Sequence, residues 1–322
     1  MAGESRKILS IDGGGIRGLI PALVLARIEG RTGKPIAELF DVIAGTSTGG
    51  ILALGLTCPG EDGGPRFTAA DLAEMYVKDG TKIFPRECLG KVRQLIEPKY
   101  SSKGRDAVLA QRLGEARLKD ALTEVVITAY DITARKPRFF RSVRAKESAE
   151  ADFAMCDVAR ATSAAPTYFE PVRLPVEGLA APYVLVDGGV FANNPGMCAF
   201  VDESTVQGEV ERTLMVSLGT GVLIRPYRYE QAKHWGALRW AQPVIDVFFD
   251  GESDTVDYQL QTILGERYHR FQVELNIASD NLDDASARNI EDLERQAEEL
   301  LKDQGEELDR VCDKLMKPNR TS

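Results

Sequence analysis

FDVIAGTSTGGILALGL (residues 40–56) is a short apolar run, a glycine-bracketed turn and a second apolar run. The first run reads as a buried strand, Asp41 to Ala44, the turn as Gly45 to Gly49, and the second run as a helix opening at Gly50. Gly45, Ser47 and Gly49 match the G-x-S-x-G nucleophile elbow. A strand that reverses straight into a helix crowds its own backbone, so the positions beside the turn must lack a Cβ. The serine is pushed to the tip, at a helix N-terminus whose free N–H groups favour developing negative charge. In a chain with 29 glycines the pentapeptide alone is weak; the strand before it and the helix after it supply its context.

Upstream, Lys7 to Ile11 reads as a first strand, apolar enough to be covered on both faces. DGGGIRG follows (Asp12 to Gly18), and then apolar residues at helical spacing from Ile16 to Arg31. The loop is not a P-loop, because no G-K-[ST] is present. Nor is it a dinucleotide site, because the next strand begins with Asp41 instead of ending in an acid. The two strands joined by one helix make a right-handed βαβ unit, so both loops emerge at the same carboxyl edge. The amides of Gly13, Gly14 and Gly15 then face Ser47, as fixed donors for an oxyanion would.

Composition bounds the partners. The chain has 322 residues, 43% hydrophobic and 28% charged, enough for one large α/β domain over residues 1–322. A net charge of -9 argues against a nucleic-acid polymer and against charge-driven docking on anionic membranes. Cys58, Cys88, Cys156, Cys198 and Cys312 are scattered and never spaced C-x-x-C, which predicts reduced thiols, no zinc site and a cytoplasmic location. No signal-peptide run opens the sequence.

Downstream, Thr68 and Asp71 predict the cap of a helix running to about Asp79. Residues 81–105 read as an irregular basic loop (Lys91, Arg93, Lys99, Lys103, Arg105), solvated or serving as a lid against headgroups. Strands are expected at Val125–Ile132 and Arg138–Ser142, and a helix from Ala151 to Ala161, near SAAPTYFEP. Val184 to Asp187 is a buried strand ending in an acid, then Gly188 and Gly189, which in a parallel sheet puts the acid at the active edge. Thr213 to Leu218 and Tyr268 to Leu275 read as further strands, the latter at an edge. Residues 234–251 hold both tryptophans, Phe248 and Phe249, and read as a core-packed helix suited also to a lipid interface or an acyl tunnel. From Ala285 the chain is acidic and helical, with an apolar stripe that packs on the body or on a second copy.

DGGGIRG, GTSTG and DGG, in this order, resemble the patatin-like phospholipase family; SAAPTYFEP and ANNP add to the likeness, which runs from Lys7 to about Leu275. The resemblance implies a three-layer α/β/α sandwich with a mainly parallel sheet and a bacterial lipid acyl hydrolase working without metal or cofactor. It implies Ser47 as nucleophile, Asp187 as its base, and Gly13, Gly14, Gly15, Ile16 and Arg17 as the oxyanion segment, with Thr48 adding an amide. Asp12, Gly18, Gly45, Gly49, Gly188 and Gly189 support those motifs. The substrates implied are phospholipids or lysophospholipids at a transiently met membrane, the enzyme standing at its inner face when active. Some bacterial relatives are membrane-degrading effectors in antiviral defence, switched on by cyclic nucleotides, which leaves room for such an activator and for a homo-oligomer.

Two rivals stand beside this reading. An α/β-hydrolase triad would need His234 or His269, whose chain order after Ser47 and Asp187 is legal, although only one strand–helix unit precedes the elbow. A non-catalytic storage or nucleotide-binding protein could use the same scaffold.

Overall fold

The computed structural model describes residues 6–85, 98–178, 181–202, 212–223, 226–240 and 243–317. Cys88, Lys91 and Arg93 lie outside them. An eight-stranded sheet forms the centre. β1 (Lys7–Ile11) lies between β2 (Val42–Gly45) and β7 (Leu214–Leu218), parallel to both. β3 (Glu124–Asp131) continues the parallel run beside β2, and β9 (Tyr268–Phe271) closes the other edge beside β7. β4 (Lys136–Arg141), β5 (Val172–Leu174) and β6 (Tyr183–Asp187) are antiparallel additions at the β3 end. Outside this sheet, β8 (Val222–Leu223) pairs with β10 (Glu274–Leu275).

The alternation of side chains along β1 divides the interior in two. Leu9 and Ile11 join the larger core with the helices Leu19–Thr32, Thr48–Thr57 and Ala69–Ile83. Ile8 joins the smaller one with Ala199 of the helix Gly196–Phe200 and Val256 and Leu260 of the helix Pro243–Leu264. A sheet covered by helices on both faces is the three-layer α/β/α sandwich expected. The C-terminal helices Ala287–Asp303 and Gly305–Met316 turn Leu293, Leu300, Val311 and Leu315 into the larger core.

Several boundaries differ from the sequence expectation. The elbow helix opens at Thr48, not Gly50. Ser47 takes φ 54, so Thr46 and Ser47 alone make the turn, not the five residues Gly45 to Gly49. The helix capped by Thr68 and Asp71 runs on to Ile83. The helix expected from Ala151 spans Met155–Thr162. The basic stretch is no loop at its end, because Lys103–Leu113 is a helix and Arg105 is buried. Lys99 is ion-paired with Asp283 on the body.

The orientation of β6 is the correction with the most consequence. It runs against β3, whereas the sequence placed its acid at the end of a parallel strand. β4 holds one edge of β3 from Val126 to Asp131, so β2 and β6 share the other edge. Gly45, the last residue of β2, faces Ile127, and Asp187, the last residue of β6, faces Ala129. The two strands thus run head to head along β3, their ends two residues apart, about 7 Å at the usual strand rise.

Candidate active site

Ser47 occupies that gap. Its backbone, φ 54 and ψ -120, is one that an L-residue holds only under constraint, at a cost of about 1–3 kcal/mol. The constraint is visible on every side. Thr46 N–H donates to Ile11 O (3.2 Å), and Thr46 Oγ1 donates to Ala192 O (2.6 Å). Ser47 N–H donates to Thr162 Oγ1 (2.9 Å). The two motif glycines meet backbone: a Cβ on Gly45 would lie 2.3 Å from Gly49 O, and one on Gly49 would lie 2.1 Å from Ile11 O. The glycines are therefore dictated by sterics at these two positions.

Asp187 comes to the serine from the opposing strand. Ser47 Oγ donates to Asp187 Oδ2 at 2.6 Å, and Gly189 N–H donates to Oδ1 at 2.8 Å. Asp187 is 1% exposed. Burial pushes its carboxyl up to about 6, against the opposing pull of the Ser47 and Gly189 bonds and the Arg105 guanidinium. It is a stronger base than a solvated aspartate and still ionised near neutrality.

The glycine loop lies beside this pair, but only part of it is open. Gly13 N–H is taken by Asn193 O (3.0 Å), Ile16 N–H by Leu282 O (2.8 Å), and Arg17 N–H by Gly14 O (3.2 Å). Those three members of the expected oxyanion segment use their amides to hold the loop. Among the described residues no protein acceptor takes the amides of Gly14, Gly15 or Thr48. Gly15 needs glycine twice over: its φ is +58, and a Cβ would sit 2.1 Å from Leu282 O. Thr220 Oγ1 donates to Gly13 O (2.7 Å), and Arg270 grips Asp12 with two bonds (3.0 and 2.6 Å) while donating to Ser217 Oγ (2.8 Å). Asp12 is thus a buried anchor for the loop, its charge compensated by a bidentate guanidinium. Arg17 is buried, donates from Nε to Gly14 O at 3.4 Å, and faces the carboxylates of Asp246, Asp250 and Asp280.

A pocket opens at Ser47, Asp187, Gly14, Gly15 and Thr48, walled by apolar side chains that include Ile51, Ile83, Phe169 and Phe249. Phe249 is 7% exposed and lines the pocket, whereas Phe248 is 65% exposed and does not, so one of the two phenylalanines expected there reaches it. Trp235 and Trp240 meet edge to face (centroids 5.1 Å apart, planes at 77°) and are not part of the pocket lining. The histidines stand apart from it: His269 Nδ1 bonds Glu307 (2.5 Å) and Lys314 Nζ donates to its Nε2 (3.0 Å), while His234 is exposed. Among the described residues no imidazole lies between Ser47 and Asp187, which are bonded directly to each other.

Sequence reasoning missed Tyr76, Thr162, Arg105 and Arg270. Tyr76 is hydrogen-bonded to Thr48 Oγ1 (2.5 Å) and donates to Thr48 O (3.3 Å), steadying the residue that follows the serine. Its only signal in sequence is an apolar helix position. Thr162 directly precedes SAAPTYFEP, a segment noted for its likeness alone.

The profile of the patatin-like phospholipase family matches residues 9–198. Patatin-like protein 2 of Arabidopsis thaliana is 36% identical over 92% of this chain and 82% of its own length. Patatin-11 of Solanum tuberosum is 35% identical, covering 93% and 84%. Probable inactive patatin-3-Kuras 1 of the same plant is 35% identical, covering 93% and 87%. These relatives are plant proteins, so they carry the family and not the bacterial source expected. Their matches also reach past Leu275, where the likeness seen in the sequence stopped.

Proposed function

The chain belongs to the patatin-like phospholipase family, and from that premise we propose that it is a lipid acyl hydrolase working through a Ser47–Asp187 dyad. One similar protein is named inactive, so membership alone does not decide activity. The observation that carries the proposal is the 2.6 Å bond from Ser47 Oγ to Asp187 Oδ2 beside three unspent amides.

In the proposed reaction Ser47 Oγ attacks the acyl carbonyl carbon as its proton passes to Asp187 Oδ2. The carbonyl oxygen becomes an oxyanion received by the amides of Gly14, Gly15 and Thr48, where one such donor is typically worth about 3–4 kcal/mol. The bond to the alcohol breaks, and Asp187 returns its proton to the leaving oxygen. Water then attacks the acyl-enzyme by the same proton route, releasing the fatty acid and restoring the serine. A strained serine held before reaction needs little reorganisation at the moment of attack.

The apolar pocket suits a fatty acyl chain. We extend the proposal to phospholipids or lysophospholipids taken from a membrane met transiently from the cytoplasm. Phe248, 65% exposed and next in the helix to the pocket-lining Phe249, is where such a surface would be met. Phe249→Leu is expected to lower kcat/KM about tenfold on a long-chain ester and little on an acetyl ester, the usual scale for a reshaped apolar pocket. Phe248→Ser should leave both soluble esters unchanged and slow hydrolysis of phosphatidylcholine vesicles. Equal losses on all substrates in either variant would point to instability instead.

The deciding experiment is labelling with a fluorophosphonate, followed by lipid analysis of cells carrying the wild type or Ser47→Ala. A folded protein that never labels at Ser47 would overturn the proposal. Added cyclic nucleotide in the vesicle assay tests for a triggered effector, which would gain turnover.

A further inference from the structure

We propose that Arg105 is a positioning residue for the Ser47–Asp187 pair, acting through the backbone of residues 162–164. The inference rests on the hydrolase reading and adds a residue that neither motif contains.

The segment leaving the helix Met155–Thr162 touches both partners. Thr162 Oγ1 accepts Ser47 N–H at 2.9 Å. Thr162 O accepts Gly188 N–H at 3.4 Å, and Ala164 O accepts Asp187 N–H at 3.0 Å. These bonds lie outside the sheet ladder and couple the elbow to the end of β6. Ser163 sits between the two contact residues, and its carbonyl is one that a helix C-terminus leaves without a helical partner. Arg105 Nη1 donates to that carbonyl at 3.1 Å.

Arg105 is itself held on three sides. It is 1% exposed. Asp106 Oδ1 accepts from Nε (3.1 Å) and Nη2 (3.0 Å), and the guanidinium stacks over the Phe169 ring at 4.5 Å. Arg160 pairs with the other Asp106 oxygen at 2.9 Å and with Asp157 at 3.0 Å. A buried cation needs such compensation, and a planar fork can meet a carboxylate, a carbonyl and a ring at once where an ammonium cannot. Arg105 also lines the pocket that holds Ser47 and Asp187. The groups facing the Asp187 carboxyl are the Ser47 hydroxyl, the Gly189 amide and Arg105, which is the one charged partner among them. The guanidinium therefore both steadies the 162–164 backbone and favours the ionised base.

The test compares Arg105→Met, Arg105→Lys and Thr162→Val with the wild type, reading kcat, KM and the pH dependence of kcat/KM on a soluble ester. Arg105→Met is expected to lower kcat roughly 10- to 100-fold, the scale of a small misplacement of reacting groups, with KM held within about twofold. Its acid limb should move up by about one pH unit, the small end of the effect of losing an adjacent opposite charge. Arg105→Lys should return the limb toward the wild-type position without restoring kcat. Thr162→Val should lower kcat and leave the limb in place. Wild-type kcat and limb in Arg105→Met would overturn the proposal, as would a raised KM at unchanged kcat, which would make Arg105 a substrate contact. Should Arg105→Met fail to fold in a thermal melt, wild-type kcat in both other variants would overturn it equally. A wild type that neither labels with fluorophosphonate nor cleaves the ester refutes the hydrolase reading itself, an outcome separate from all of these.

Discussion

Asp187→Asn should lower turnover at least about a hundredfold and, above pH 6, yield a protein more stable than the wild type. Loss of a general base typically costs about 10²–10⁴-fold, and here no imidazole is at hand to replace it. The stability gain follows from burial. Folding raises this carboxyl from 3.8 to about 6, so the native state holds its proton more tightly than the unfolded chain does. The stability tied to that protonated form is complete below pH 3.8 and gone once the pH has passed about 6. Above that, the ionised, desolvated carboxylate costs on the order of 3 kcal/mol at most, from a rise of about two pH units. Asparagine has no charge to desolvate; its oxygen can accept from Gly189 N–H while its amide group donates to Ser47 Oγ, since a hydroxyl oxygen also accepts. Thermal unfolding at pH 4 and pH 8 checks the sign: the variant's advantage should be large at pH 8 and small at pH 4. A variant that melts below the wild type at pH 8, or turns over ester within about tenfold of the wild-type rate, would contradict the role given to this residue. In the wild type the same titration should make kcat/KM fall as the pH drops through about 6.

Gly49→Ala should not give a folded protein. The added methyl carbon would lie 2.1 Å from Ile11 O, 2.6 Å from Ile11 C and 2.7 Å from Asp12 O. All three are backbone atoms at the end of the central strand and the start of the glycine loop. No rotamer change relieves such a contact; β1, the loop or the elbow helix must move. The expected loss is about 4 kcal/mol or more, most of the margin of an ordinary domain. Gly30→Ala is the matched control. Its Cβ would meet nothing within 4 Å, and it lies inside the helix Leu19–Thr32, so about 0.5–1 kcal/mol of stabilisation is expected. Soluble yield and urea midpoints of the two variants decide the matter. A stable Gly49→Ala protein would mean that the elbow tolerates a wider strand–helix spacing than the structure has.

What the chain settles on its own is short-range. A glycine-bracketed serine between a buried strand and a helix has few conformations open to it, so the elbow, the glycine loop and the parallel β1–β2 pair are legible from residues 7–56. The DGG strand is legible as a strand, but not its direction, because residues 183–187 look alike run either way. Direction came from pairing with β3, through a register made by residues more than fifty positions away. The same holds for which loop amides stay open: Asn193 and Leu282 take those of Gly13 and Ile16, and nothing in DGGGIRG says so. Phe248 and Phe249 are identical letters whose fates differ by one step around a helix that the adjoining apolar pattern does not phase. Arg105 reads as one more cation in a basic stretch until its burial and its Ser163 partner are seen. Local sterics act between neighbours in the chain and are written in it; through-space partners are chosen by packing, and only the folded chain decides them.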